Sequence, residues 1–296
     1  MYSRADTVKS QRLTCQCLAK GTVQNGKPDE KNSSSSHLLT LNERNYSNTN
    51  LSCSLMTTID TAEIARFDAL AEQWWDPTGP MWPLHRLNAT RVPFIQHQLS
   101  ALSPDSALPV GNLSGLRILD VGCGAGLLSE SMALAGASVS AVDASSRNIA
   151  IAREHAQMQG LSIDYQVGDI TTLNLPEFDV VLNMEVIEHV NKLPDFFRRC
   201  CELCRPGGIQ FVATINRNLL SYLVAIVAAE YILGWLPRGT HQWRKFVRPA
   251  ELTALLGDNG FSISESTGVM VNPLQRSVAL SSLETVNYMM SARRDE

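Results

Sequence analysis

From its amino end the chain shows no sustained apolar period until about Ile59. There Ile64, Phe67, Leu70, Ala71 and Trp74 recur at helical spacing, and Pro77, Gly79 and Pro80 end that helix. A second amphipathic stretch carries Val92, Ile95 and Leu99. After a connection rich in Pro, Ser and Gly, short apolar runs begin to alternate with helical periods. The runs predict strands at 116–121, 138–142, 163–167, 178–183 and 209–214. Helical patterns at about 127–135, 147–159 and 193–204 separate most of them. Strands and helices alternating in this way pair in parallel through right-handed crossovers, so the predicted class is α/β with a doubly wound, mainly parallel sheet. No internal repeat is visible.

The 296 residues suffice for one large domain with appendages. Residues 1–55 are rich in Ser, Asn, Thr and Lys, include the run Ser33 to Ser36, and offer too little apolar surface to offset the entropy of ordering. They are expected to be a disordered segment preceding a domain at 56–296. Arg4, Lys9, Arg12 and Lys20 against Asp6 make its start basic, as in an organelle-targeting segment; a tail with no address has the same composition. The net charge of −4 gives no electrostatic footprint for nucleic acid, and none is expected as a partner. Seven cysteines, an odd number in a chain too long to need stapling, fit a reducing compartment. Cys200, Cys201 and Cys204 lack a second ligand pair at zinc-ribbon spacing and read as ordinary helix residues.

The segment Arg117-Ile-Leu-Asp-Val-Gly-Cys-Gly-Ala-Gly126 is a short strand entering a glycine-rich turn that opens a helix. In an open α/β sheet such a turn lies at the ligand crevice beyond the strand ends. A dinucleotide fingerprint is G-x-G-x-x-G; here Gly122, Gly124 and Gly126 give G-x-G-x-G and the sixth position is Leu127. Asp120 sits badly beside a pyrophosphate and well beside a sulfonium or an ammonium. The next strand ends at Asp143, where a carboxylate can accept both ribose hydroxyls. A tight turn without ligand and a helix N-cap at Asp143 are the bland alternatives. The full assembly resembles the class I, Rossmann-like, S-adenosylmethionine-dependent methyltransferase signature over about residues 116–261. Asp169, after the third strand, either faces the adenine in such a fold or is a loop carboxylate.

Substrate has to be argued from additions to that core. The first is Phe67-Asp-Ala-Leu-Ala-Glu-Gln-Trp-Trp-Asp-Pro-Thr-Gly79, continuing through Leu84-His-Arg-Leu-Asn88 to Arg91-Val-Pro-Phe-Ile95. The second is Asn183-Met-Glu-Val-Ile-Glu-His189. The third is Thr214-Ile-Asn-Arg-Asn218, an apolar run, and Pro237-Arg-Gly-Thr-His-Gln-Trp-Arg-Lys-Phe-Val-Arg-Pro249. In this order and spacing, with Asn287-Tyr288, they resemble the ubiquinone-biosynthesis O-methyltransferase family from about Thr57 onward. Arg238 departs from the lysine of many relatives and keeps its charge.

The resemblance implies O-methylation of polyprenyl catechol intermediates at two steps, on a polyprenyl dihydroxybenzoate and on a demethylubiquinol. It also implies cofactor contacts at Arg91, Gly122, Asp143 and Met184, to which the glycine turn adds Gly124. A guanidinium at Arg91 suits the carboxylate of the cofactor, although a helix-surface arginine is the simpler use. Met184 either packs on adenine or fills core. A free phenol titrates near ~10, so something must favour the phenolate, and a divalent cation on both catechol oxygens does this. The family's Glu-x-x-Glu-His motif matches Glu185, Glu188 and His189. If a helical turn starts there, the three share one face and converge on an ion; oxygen-rich donors favour Mg²⁺, while the imidazole also suits Zn²⁺ or Mn²⁺. Otherwise they form a solvated first turn, or His189 is a general base.

The resemblance turns the basic start into a mitochondrial presequence, the location into the matrix side of the inner membrane, and the partners into other ubiquinone-biosynthesis proteins. The run 219–236 is nearly span-length, but Glu230 interrupts it. It is expected to be a monotopic, membrane-facing element within an insertion near 217–248; a helix buried against the domain is the alternative. A non-catalytic scaffold of a quinone-biosynthesis assembly is disfavoured by intact Asp120, Gly122, Gly124 and Asp143, and a nicotinamide dehydrogenase by Leu127.

Overall fold

The computed structural model describes residues 57–100, 111–223, 242–272 and 275–296. The expectations for residues 1–55 and for the centre of the apolar run, 224–236, lie outside the described residues. Among these, eight strands form one sheet: β1 Arg117–Val121, β2 Ser138–Asp143, β3 Asp164–Val167, β4 Phe178–Met184, β5 Cys204–Ile215, β6 Phe261–Asn272, β7 Ser277–Ser281 and β8 Asn287–Arg294. The order is β3-β2-β1-β4-β5-β8-β6-β7. The first five are parallel, as predicted. β8 runs antiparallel to β5 and β6, and β7 antiparallel to β6. The chain reverses its winding between β1 and β4, the place where a crevice opens beyond the carboxyl ends of the strands.

Helices cover both faces: α1 Thr61–Leu70, α2 Trp82–Ser100, α3 Leu127–Leu134, α4 Ser146–Met158, α5 Leu193–Leu203 and α6 Pro249–Asp258. Successive side chains of a strand point to opposite faces, and the core divides accordingly. Ile118 of β1 and Val180 and Leu182 of β4 pack with Phe94, Ile95 and Leu99 of α2 and Met132 of α3. Leu119, Val121 and Val181 pack on the other side with Phe196, Phe197 and Cys200 of α5. Each fully buried aliphatic or aromatic side chain there contributes roughly 1.5 to 3 kcal/mol.

Asp60 caps α1 by accepting from Ala62 N at 3.1 Å. The helix gives way to a 3₁₀ turn at Ala71–Gln73, so Trp74 lies just past it. The second amphipathic stretch proves to be a helix from Trp82 to Ser100 that runs through Pro93. β5 starts at Cys204 rather than Ile209, with a register irregularity across Phe178 and Val180. Cys200 and Cys201 lie on the buried face of α5 and Cys204 opens β5. All three are free thiols, and burial pushes Cys201 and Cys204 up to about 12. No helix among the described residues is long and apolar enough to cross a membrane.

Candidate active site

β1 delivers the chain into a turn that requires glycine. Gly122 has φ +69°, and a Cβ on it would lie 2.4 Å from Cγ2 of Val186. Gly124 has φ +55°, and a Cβ there would lie 2.3 Å from the Trp74 ring. L-residues avoid this backbone region, and here no space exists for them either. Asp143, ending β2, locks the turn: its Oδ2 accepts from Gly124 N at 2.9 Å and its Oδ1 from Ser145 N at 2.8 Å. The helix N-cap belongs to Ser145, whose hydroxyl accepts from Asn148 N, so capping does not account for Asp143. Burial raises the Asp143 carboxyl above its ordinary range.

Asp120 is 3% exposed and accepts from Ser129 Oγ at 2.6 Å. Burial, with the charge of Asp143 adding to it, pushes its carboxyl up to about 7. A ligand ammonium at this carboxylate would require the ionised form. With the ammonium of the S-adenosylmethionine that the sequence resemblance implies placed there, affinity for it is expected to rise about tenfold per pH unit from about pH 5.5 to 7 and then level off, since each proton lost on binding carries that slope. Titration calorimetry across this range checks it, and Asp120→Asn should bind weakly with a flattened profile.

Residues 57–100 close over the turn. Trp74 lies on Gly124; Trp75 stacks on His155 of α4 at 3.4 Å and 8° and donates Nε1–H to Ala125 O at 3.2 Å. The start of this strap is tied to Asp169. That carboxylate accepts from Thr57 Oγ1, Thr58 N and Thr58 Oγ1, each at 2.8 Å, and from Thr171 N and Oγ1 at 2.9 and 2.7 Å. Against the opposing effect of burial, these bonds lower it to about 2. Asp169 lines the cavity, yet its carboxylate is committed to the strap.

A cavity of about 610 Å³ lies between strap and sheet edge, within the usual range for small-molecule sites. Arg91, Gly122, Gly124, Asp143, Met184, Glu185, Glu188 and His189 all line it. Arg91 is buried, not a surface arginine; its guanidinium donates to Glu185, and its Nε is buried without a hydrogen-bond partner. Met184 ends β4, packed in the core and lining the cavity at once.

The helical turn expected at Glu185 does not form. Glu185 has φ +60°, Glu188 and His189 lie in a turn beyond it, and α5 starts only at Leu193. The Glu185 and Glu188 carboxyls adjoin, but each of the three side chains also has a partner of its own. Glu185 pairs with Arg91; Glu188 Oε2 accepts from Thr214 Oγ1 at 2.8 Å; His189 Nδ1 lies 3.4 Å from Glu63 Oε2. Among the described residues no three His, Cys, Asp or Glu side chains are grouped to hold a metal ion. The backbone turn that aims Glu185 at Arg91 is the physical reason. Glu188 is 3% exposed, with Oε1 unpartnered; burial and the neighbouring Glu185 charge raise its carboxyl well above the ordinary range.

Glu63 has no counterpart among the residues singled out from sequence. Burial opposes its ionisation, but His189, Arg66 and Lys245 outweigh this and hold it below the ordinary range.

A family described as a methyltransferase domain matches residues 119–212. The chain is 49% identical over 236 residues to a ubiquinone biosynthesis O-methyltransferase of Rhodopseudomonas palustris (strain BisB18), covering 79% of this chain and 93% of that protein. One from Sinorhizobium fredii (strain NBRC 101917 / NGR234) is 49% identical over 245 residues, covering 80% and 97%. Among solved structures, magnesium protoporphyrin IX methyltransferase from Synechocystis PCC 6803 with bound S-adenosylmethionine superposes with a TM-score of 0.52. At 21% identity, covering 80% of this chain and 98% of that one, it shares the fold.

Proposed function

The chain belongs to the ubiquinone biosynthesis O-methyltransferases, and from that premise we propose its reaction: methyl transfer from S-adenosylmethionine to a phenolic oxygen of polyprenyl catechols, at both O-methylation steps. The observation that carries this is one cavity lined both by the cofactor set, Arg91, Gly122, Asp143 and Met184, and by the acid–base set, Glu185, Glu188 and His189. Asp143 takes the ribose hydroxyls, Asp120 the ammonium and Arg91 the carboxylate of the cofactor. The phenolic O–H gives up its proton, the oxygen attacks the methyl carbon in line, and the carbon–sulfur bond breaks to leave S-adenosylhomocysteine. Transfer of radiolabel from S-adenosylmethionine to a prenylated catechol tests it; no transfer would reject it.

The proposal includes a divalent cation, most simply Mg²⁺, held by Glu185, Glu188 and His189. Its support is the chemistry of the donors: two adjacent carboxylates, one with a buried unpartnered oxygen, and an imidazole. When bound, such an ion lowers the pKa of the phenol it touches. The separate partners of the three side chains favour a second reading, in which His189 takes the phenolic proton as a general base.

A polyprenyl tail needs a lipid-side entrance. Leu219 and Leu223 are exposed by 73% and 48%, and Leu220 and Leu283, both exposed, line the cavity. We propose that this rim and the apolar run after it rest in a bilayer surface. Wild-type protein is expected to float with anionic liposomes and Leu219→Glu with Leu223→Glu to remain below. Equal flotation of a folded double variant would reject the contact. The match covers 79–80% of this chain and 93–97% of those relatives, so about a fifth of this chain lies outside it. With the basic start, this supports a mitochondrial presequence and peripheral residence on the matrix side of the inner membrane; import of a reporter carrying residues 1–55 is the test.

A further inference from the structure

The one fully buried residue of α1 is an acid. Glu63 is 4% exposed, although an acid three residues past an N-cap is ordinarily solvated and answers the helix dipole. Burying a carboxylate is costly unless partners compensate it, so its partners indicate its use. Oε1 accepts from Arg66 at 3.0 Å and Gln242 at 3.3 Å, while Oε2 faces Nδ1 of His189 across 3.4 Å, a contact in which neither buried atom completes a hydrogen bond. One turn further, Phe67 meets the same imidazole edge-on, with centroids 5.3 Å apart and an 89° interplanar angle. Residues i and i+4 of one helix thus grip one ring, the first at a nitrogen and the second at its plane. The backbones are joined as well: Asn191 N donates to Thr58 O at 2.9 Å and Asn191 Nδ2 to Ile59 O at 3.0 Å.

We infer that Glu63 is a positioning residue for His189: its Oε2 faces Nδ1 at ion-pair distance and favours the tautomer that carries the proton on Nδ1 and the lone pair on Nε2. The role deepens the methyl-transfer reading and rests on it, because Glu63 acts only through His189. It serves either use of the imidazole, since a cation ligand and a general base both need a bare ring nitrogen whose tautomer the other nitrogen's bond decides. Fastening the strap is a separate matter: Asp169, Asn191 and the Lys245–Asp60 pair at 3.1 Å hold it without Glu63.

The test uses full-length protein labelled with ¹⁵N-histidine, the His189 signals being identified by their loss in His189→Asn. At pH 8 two-bond ¹H–¹⁵N spectra are expected to show wild-type His189 as the Nδ1–H tautomer. In Glu63→Gln the amide can donate to Nδ1 instead, so the Nε2–H form should grow. In that variant kcat should fall about 10- to 100-fold, the usual cost of losing such a support, while S-adenosylhomocysteine affinity by calorimetry stays close to wild type, since Glu63 acts only through His189. Glu63→Asp, which keeps an acceptor, should retain more of kcat than Glu63→Gln. A Gln variant with wild-type kcat overturns the inference, and so does wild-type His189 in the Nε2–H form, which is read even if the variant fails to fold. Absence of methyl transfer by wild-type protein would instead strike the underlying reading, and the tautomer measurement would stand apart from it.

Discussion

Gly122→Val is expected to bind no S-adenosylmethionine measurable by calorimetry, and Asp143→Ala to bind it about 100-fold more weakly or worse. At Gly122 two penalties coincide. The left-handed φ of +69° costs a side-chain-bearing residue about 1 to 2 kcal/mol. The new Cβ would also stand 2.4 and 3.0 Å from the two Cγ atoms of Val186, a branched side chain with little freedom to yield. The turn must move, and it moves at the point where the cofactor is proposed to bind. Val186 adjoins Glu185, so the acid-bearing loop is displaced too.

At Asp143 the carboxylate holds the N–H groups of Gly124 and Ser145, and its loss leaves both without that acceptor, at about 1 to 3 kcal/mol for each buried group. The bonds proposed to the ribose hydroxyls go as well. With each 1.4 kcal/mol worth about a factor of ten, a 100-fold loss is the low end. Thermal melting without cofactor separates lost binding from lost folding. Wild-type affinity in a folded variant of either kind would reject the placement of the cofactor on this turn.

How far the sequence discloses this site depends on the range of the interactions concerned. β1, β4 and the second half of β5 are apolar runs buried on both faces, so composition alone marks them; β2 and β3 are more polar and are marked by their place between helical periods. β6 and β8 escape that reading: Phe261–Asn272 is a mostly polar edge-side strand, and Asn287–Arg294 is buried by its neighbours β5 and β6 despite its Met, Ser, Ala and Arg content. The glycine turn, Asp120 and Asp143 are legible because strand, turn and strand are local.

Arg91 and Glu185 fail a local reading because each is set by the other across 94 residues. Glu188 and His189 were expected on a helical face, but the positive φ of Glu185 breaks the helical period at its first residue. The trace Glu63 leaves in sequence is an acid four residues before Phe67, a spacing that places it beside an aromatic on one face. Only the 126-residue reach to His189 gives that face a meaning.

With the cation proposed at Glu185, Glu188 and His189, removal of divalent cations is expected to reduce methyl transfer more than about 100-fold, with Mg²⁺ restoring it, because an unassisted phenol near pKa ~10 is almost wholly protonated at neutral pH. Glu185→Ala and His189→Ala should match that loss. Cofactor binding should respond in the opposite sense in Glu185→Ala. Arg91 is buried and pairs with Glu185, so removing the carboxylate strands a buried cation, at about 3 to 5 kcal/mol. The carboxylate of S-adenosylmethionine is the natural replacement. Glu185→Ala is therefore expected to melt well below wild type without cofactor, to recover much of the difference with it, and to bind it at least as tightly. A variant with wild-type melting and weakened cofactor binding would place Glu185, not Arg91, in contact with the cofactor. Full turnover in chelated buffer, with His189→Ala still inactive, would reject the cation and leave the imidazole as the group that removes the phenolic proton.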